Sequence, residues 1–149
     1  NVDRAELAGW EGEVHYDSDR WFGRVSFSSI EGTNLSDGSD LGSLTPDRLA
    51  LNLGVKVPEW RARFGTRIQV ADEFERRGSV EMGGLTVVEE RAGYVVVDLY
   101  TSWRPDFAPG LRLDAGIDNV LDQDYDRVFA GVSEPGQNFK IAASYQFGN

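Results

Sequence analysis

Leu111-Arg-Leu-Asp114-Ala-Gly-Ile-Asp118 and Phe139-Lys-Ile-Ala-Ala-Ser-Tyr-Gln-Phe147 decide the fold of this chain. In the first, Leu111, Leu113, Ala115 and Ile117 fall on one parity, and Arg112, Asp114 and Asp118 on the other. In the second, Phe139, Ile141, Ala143, Tyr145 and Phe147 oppose Lys140, Ala142, Ser144 and Gln146. Side chains of a strand point alternately to its two faces, so each stretch is a ribbon with one oily and one polar face. The upstream sequence repeats this pattern.

Working back through the chain, the same parity defines five more strands. They run from Ala5 to Tyr16, Trp21 to Ile30, Leu49 to Val57, Trp60 to Ala71 and Tyr94 to Arg104. The third sets Leu49, Leu51, Leu53, Val55 and Val57 against Arg48, Asn52 and Lys56. The fourth sets Ala62, Phe64, Ile68 and Val70 against Arg61, Arg63, Arg67 and Gln69. The connections alternate in length. Turns at 17–20, 58–59 and 105–109 are short, whereas 31–46, 72–92 and 119–138 read as long loops. In an up-and-down antiparallel meander this puts all short turns at one end and all long loops at the other, the asymmetry of an outer-membrane β-barrel. Tyr16, Trp21, Trp60, Trp103 and Phe147 sit beside the short turns or the chain end with the parity of the oily face, as an interfacial girdle requires; Phe139 fits the opposite rim.

A soluble β-sandwich or lipocalin-like barrel also alternates, with its apolar face inward. A lectin-like binding module of that kind is the alternative reading, and it predicts Leu51, Val97 and Ile141 inside a protein core. Charged residues on the polar face of nearly every strand and aromatics along one rim favour the membrane barrel. The expected fold class is therefore all-β, an antiparallel up-and-down meander of about seven strands forming part of a large transmembrane β-barrel.

Composition narrows the functions. The 149 residues carry a formal net charge of −10, which excludes the basic stripe of a nucleic-acid binder. The absence of cysteine excludes disulfides and thiolate chemistry. No apolar run reaches the ~20 residues of a membrane helix, and no signal peptide is visible. The chain begins Asn-Val-Asp, so a processed or truncated product is expected. There is no catalytic constellation: the one histidine, His15, falls on the polar parity and reads as a solvated lumen residue. Asp122-Gln-Asp124-Tyr-Asp126 resembles the start of a calcium loop, but Arg127 and Ser133 occupy the glycine and bidentate-glutamate positions, leaving a solvated acidic loop. Arg61, Arg63 and Arg67 are expected to pair with acids such as Asp98 and Asp114. Neither an enzyme nor a metal site is expected.

Tyr94-Val-Val-Val-Asp98-Leu-Tyr100 and Asp118-Asn119-Val-Leu-Asp122-Gln-Asp-Tyr125 resemble the end of TonB-dependent outer-membrane receptors, whose penultimate strand runs into Asn-Leu-Phe-Asp-x-x-Tyr. Asn119, Asp122 and Tyr125 match that motif. Pro135-Gly136-Gln137-Asn138-Phe139 is similar to the family's Pro-Gly-Arg-Asn-Phe, with Gln137 in the arginine position. Gly9-Trp-Glu-Gly-Glu13 and Thr45-Pro-Asp-Arg-Leu49 also look like the family. The resemblance implies a barrel of about 22 strands with a plugged lumen, of which residues 1–149 supply a C-terminal wall without the plug domain or the remaining strands. It further implies active uptake of an iron-containing nutrient, haem or a ferric siderophore, as cargo, with the haem and haemoglobin branch most similar. The implied partners are the rest of the barrel and its plug, the TonB energy-coupling complex, outer-membrane lipid and an extracellular haem or iron carrier. The last strand, with Tyr145 and Phe147, resembles the signal read by the barrel-assembly machinery, although Gly148 and Asn149 extend past the aromatic.

Overall fold

The computed structural model describes residues 4–36, 38, 40–41, 44–80, 85–128, 130 and 132–147, with backbone only for 75–80 and 85–89. Nine strands are present among them: β1 Ala5–Asp17, β2 Trp21–Asn34, β3 Arg48–Val57, β4 Ala62–Ala71, β5 Phe74–Val80, β6 Leu85–Arg91, β7 Tyr94–Trp103, β8 Leu111–Asp118 and β9 Asn138–Tyr145. Seven form one antiparallel sheet in the order β1-β2-β3-β4-β7-β8-β9. This is the expected meander, with neighbours in sequence pairing as neighbours in space.

Register carries the parity across every strand. One row of partners runs Val25, Leu51, Ile68, Val97; a second runs Val55, Phe64, Thr101, Ala115, Ile141. The opposite face reads Arg24, Asn52, Arg67, Asp98 along one row. A slip of one residue in any pair would exchange the faces of that strand, so seven amphipathic strands in matched register give one continuous apolar face. Nothing in the described chain covers it: Trp10 is 80% exposed and Ile141 86%. A sandwich would bury Ile141 under a second layer, so the lectin-like alternative fails.

The few buried side chains gather on the polar face and at the sheet ends: Phe22, Val96, Asp98, Ser102 and Asn119. Two glycines there make room for rings. Phe22 lies over Gly54 and Tyr100 over Gly65, so closely that a β-carbon at either glycine would overlap the ring. The Tyr100 hydroxyl reaches across to donate to Asn52 Oδ1 at 2.5 Å, and the Arg63 guanidinium stacks 4.4 Å from the Phe22 centroid, a contact worth about 0.5–1 kcal/mol at an exposed site.

Local chemistry sets the turns. Ser18 both accepts from the Trp21 amide (3.0 Å) and donates to the Trp21 carbonyl (3.1 Å), closing the first turn. Lys56 pins this turn from β3 by an ion pair to Asp17 and a hydrogen bond to the Ser18 carbonyl. Gly110, at φ 93°, allows the third turn a conformation that L-residues avoid.

Sequence expectations change at several points. Residues 72–92 are not an open loop: β5 and β6 pair antiparallel as a separate two-stranded sheet inserted between β4 and β7. Trp60 does not begin the fourth strand. Pro58–Trp60 forms a 3-10 turn that Arg61 ends in the left-handed conformation, φ 50°, and β4 starts at Ala62. Proline favours the first position of such a turn and cannot donate to a ladder. At the other end, β9 stops at Tyr145, so Phe147 lies past the strand.

Candidate functional site

The connection from β8 to β9 is clamped to the polar face by one buried asparagine. Asn119 follows β8 in the left-handed conformation, φ 50°, and is 2% exposed. Its amide donates to Asp98 Oδ1 (2.9 Å), which fixes it to β7. Its Nδ2 donates to the carbonyls of Gln123 (2.9 Å) and Pro135 (3.3 Å), and its Oδ1 accepts from the Gln123 amide (2.9 Å). Asparagine tolerates this backbone region and supplies both a donor and an acceptor, which aspartate and glycine do not.

Asp122 repeats the device. Also at φ 50°, it accepts the Gln137 amide on Oδ1 at 2.7 Å, while Gln137 Nε2 donates to the Val120 carbonyl at 3.0 Å. A β-carbon on Gly136 would lie 2.6 Å from that carboxylate oxygen, so a larger residue there would displace the Asp122 side chain from the Gln137 amide. The Val120 amide returns the chain to β7 through the Val97 carbonyl, 2.7 Å. Tyr125 rests on Tyr94, ring centroids 4.6 Å apart at 44°. Hydrogen bonding with Tyr125 raises the Arg127 guanidinium above its ordinary value; burial opposes this, and the charge of Glu134 at 3.4 Å adds a smaller upward push.

The structure thus brings Asn119, Asp122, Tyr125, Pro135, Gly136 and Asn138 to one end of the polar face, around a hollow of about 280 Å³. Three ion pairs edge it: Arg67–Asp98 at 3.5 Å, Arg127–Glu134 at 3.4 Å and a close Lys140–Asp118 contact. Cations and carboxylates balance, so the hollow offers charged donors and acceptors without a strong field of either sign. Asp122 is occupied in binding the Gln137 amide, which gives the acidic run a structural role.

Phe139 is not part of this cluster; it faces the apolar side opposite Ile117 and is 68% exposed. Tyr145 and Phe147 meet edge-on at 4.7 Å near the opposite end of β9; Gly148 and Asn149 lie outside the described residues. His15 is exposed on the polar face of β1, opposite Arg24. The arginine row divides: Arg67 pairs with Asp98 as expected, but Arg61 pairs with Asp106 (2.9 Å), Arg63 stacks on Phe22, and Asp114 is taken by Arg112 (2.8 Å). Sequence reading missed Gln123, Gln137 and Tyr94 as parts of the clamp. Tyr94 and Gln137 fall inside the stretches that resemble the family, but neither resemblance nor alternation indicates their contacts.

The family described as TonB dependent receptor-like, beta-barrel matches residues 1–120. Among curated relatives, the Hemin receptor of Yersinia enterocolitica is 29% identical over 150 residues, covering 99% of this chain and 20% of its own length. TonB-dependent heme receptor A of Haemophilus ducreyi is 23% identical over 158 residues, 99% of this chain and 21% of its own. Among solved structures, the ferripyoverdine receptor of Pseudomonas aeruginosa superposes with a TM-score of 0.80 at 16% identity, covering 96% of this chain and 20% of that one. The FrpB iron transporter of Neisseria meningitidis gives 0.79 at 16%, covering 96% and 24%. The chain therefore spans about a fifth of the length of the curated relatives it matches. Matched register, an uncovered apolar face, short turns at one end and long connections at the other agree with the family match: the chain belongs to the TonB-dependent receptor family and forms seven strands of an outer-membrane β-barrel wall.

Proposed function

We propose that the whole receptor carrying this wall imports haem by TonB-coupled active transport, with haem as cargo and no covalent chemistry on it. The observation that supports this reading best is the alignment of proteins named as hemin and heme receptors along 95–99% of the chain. In it, the polar face lines the lumen beside the plug domain, the apolar face meets outer-membrane lipid, and the short turns face the periplasm and the TonB complex. The long connections face outward, where an extracellular haem carrier would dock. The hollow beside Asn119 then lies near the outer mouth of the lumen, where Arg67, Arg127 and Lys140 offer donors to cargo carboxylates as the cargo passes. The edge-on Tyr145–Phe147 pair ends the strand that the assembly machinery reads.

The test is growth of a strain that lacks its own haem receptors and makes no siderophore, supplied with one iron source at a time. Growth on haem that needs both the whole receptor and TonB supports the proposal. Growth on a ferric siderophore but not on haem reassigns the cargo, and TonB-independent growth removes active transport altogether.

A further inference from the structure

At the short-turn end of the apolar face, Trp60, Trp103 and Phe107 stand around a cleft of about 690 Å³, with the carboxylates of Glu59 and Asp106 at its margin. Trp103 and Phe107 meet edge to face, centroids 5.9 Å apart at 69°. Ala62, the register partner of Trp103, is a small buried floor between the indoles. Trp60 reaches the cleft from the 3-10 turn, outside any strand. Both carboxylates already hold an arginine, Glu59–Arg20 at 2.6 Å and Asp106–Arg61 at 2.9 Å. A carboxylate accepts about four hydrogen bonds, so each keeps acceptor capacity. Phe64 is shared with a second hollow of about 710 Å³, an almost wholly apolar groove along Trp21, Val25, Leu53 and Leu99, widened where Gly23 has no side chain.

An aromatic girdle needs only rings at headgroup depth. Here the rings are joined to two carboxylates, two guanidinium groups and a long apolar groove. An ammonium group complements aromatic faces edged by carboxylates, a phosphate complements guanidinium, and an acyl chain complements the groove. A lipid with a purely anionic headgroup would bring no cation to the carboxylates. One kind of molecule at this depth carries all three groups.

We propose that the Trp60–Trp103–Phe107 cleft binds one zwitterionic, amine-bearing phospholipid of the periplasmic leaflet, its ammonium between the indoles, Glu59 and Asp106, its phosphate at Arg20 and Arg61, and an acyl chain in the groove over Gly23. The site is independent of the transported cargo.

Native mass spectrometry of the whole receptor, in detergent containing equimolar phosphatidylethanolamine and phosphatidylglycerol of the same acyl chains, tests it. The wild type retains one phosphatidylethanolamine in about two- to fivefold preference over phosphatidylglycerol, the range a cation–π contact supplies. Trp60→Ala with Trp103→Ala abolishes the preference, as does Phe107→Ala, which lies in a turn and leaves every strand intact. Glu59→Gln with Asp106→Asn abolishes the preference while the total of bound lipid stays the same. Trp10→Ala, on the apolar face away from the cleft, leaves the preference unchanged. Equal retention of the two lipids by the wild type, or a preference that survives both Phe107→Ala and the carboxylate pair, overturns the proposal. Displacement of the bound lipid by millimolar free ethanolamine also overturns it, since the site would then read a soluble amine alone.

Discussion

Replacing Asn119 by alanine removes three side-chain hydrogen bonds and leaves a β-carbon at φ 50°. At about 1 kcal/mol for each bond and about 1 kcal/mol for the left-handed backbone, the expected loss is about 2–4 kcal/mol. Asn119→Gly relieves the backbone part and falls between wild type and alanine. Urea midpoints of the detergent-solubilised receptor, read from heat-modifiable gel mobility, rank the three. Equal midpoints for alanine and wild type contradict the clamp. The two polar-face glycines give a second expectation: Gly65→Ala collides with the Tyr100 ring and costs about 1–3 kcal/mol. Tyr100→Ala in that background recovers part of the loss, because the pair is in contact and does not add. Phe22 and Tyr100 share the parity of Arg24 and Asp98, which puts them on the polar face of their strands. That their rings fold flat over a cross-strand glycine depends on register, and one sequence carries no direct signal of register.

At the scale of elements, alternation made all seven wall strands legible, because each must present one face to each side along its whole length. It failed where that constraint lapses. Among the described residues β5 and β6 pair only with each other, and their stretch read as a loop. Trp60 kept the parity of the apolar face, yet Pro58 had already opened a 3-10 turn, so parity no longer fixed its direction. The motif around Asn119 was recognised by likeness, but its mechanism was hidden: its partners Asp98 and Pro135 lie 21 and 16 residues away. Since β4 and β7 pair from Ala71↔Tyr94 to Ala62↔Trp103 without help from the hairpin, replacing 75–90 by a short Asn-Gly turn is expected to leave assembly intact. Outer-membrane yield and heat-modifiability of the shortened receptor check this. A failure to assemble would mean that the hairpin supports the wall.

At the scale of the whole molecule, the sheet among the described residues has two free edges, β1 and β9, and one uncovered apolar face. Residues 1–149 expressed alone are therefore expected to aggregate in water and to need detergent, which centrifugation with and without detergent reads directly. The cargo is a different matter. Neither alternation nor composition selects the proposed haem over another iron-containing cargo, because both report only which face of a strand a residue occupies. In a barrel wall the face containing Leu51, Val97 and Ile141 meets lipid. The most direct test of this is spin-label accessibility at single cysteines placed at 51 and 52, 97 and 98, and 141 and 142 of the receptor in bilayers; the chain has no native cysteine to interfere. Lipid-phase oxygen contact is expected at 51, 97 and 141, and contact with a water-soluble relaxant at 52, 98 and 142. Labels at 51, 97 and 141 shielded from both would place that face inside a protein core and contradict a membrane-facing wall.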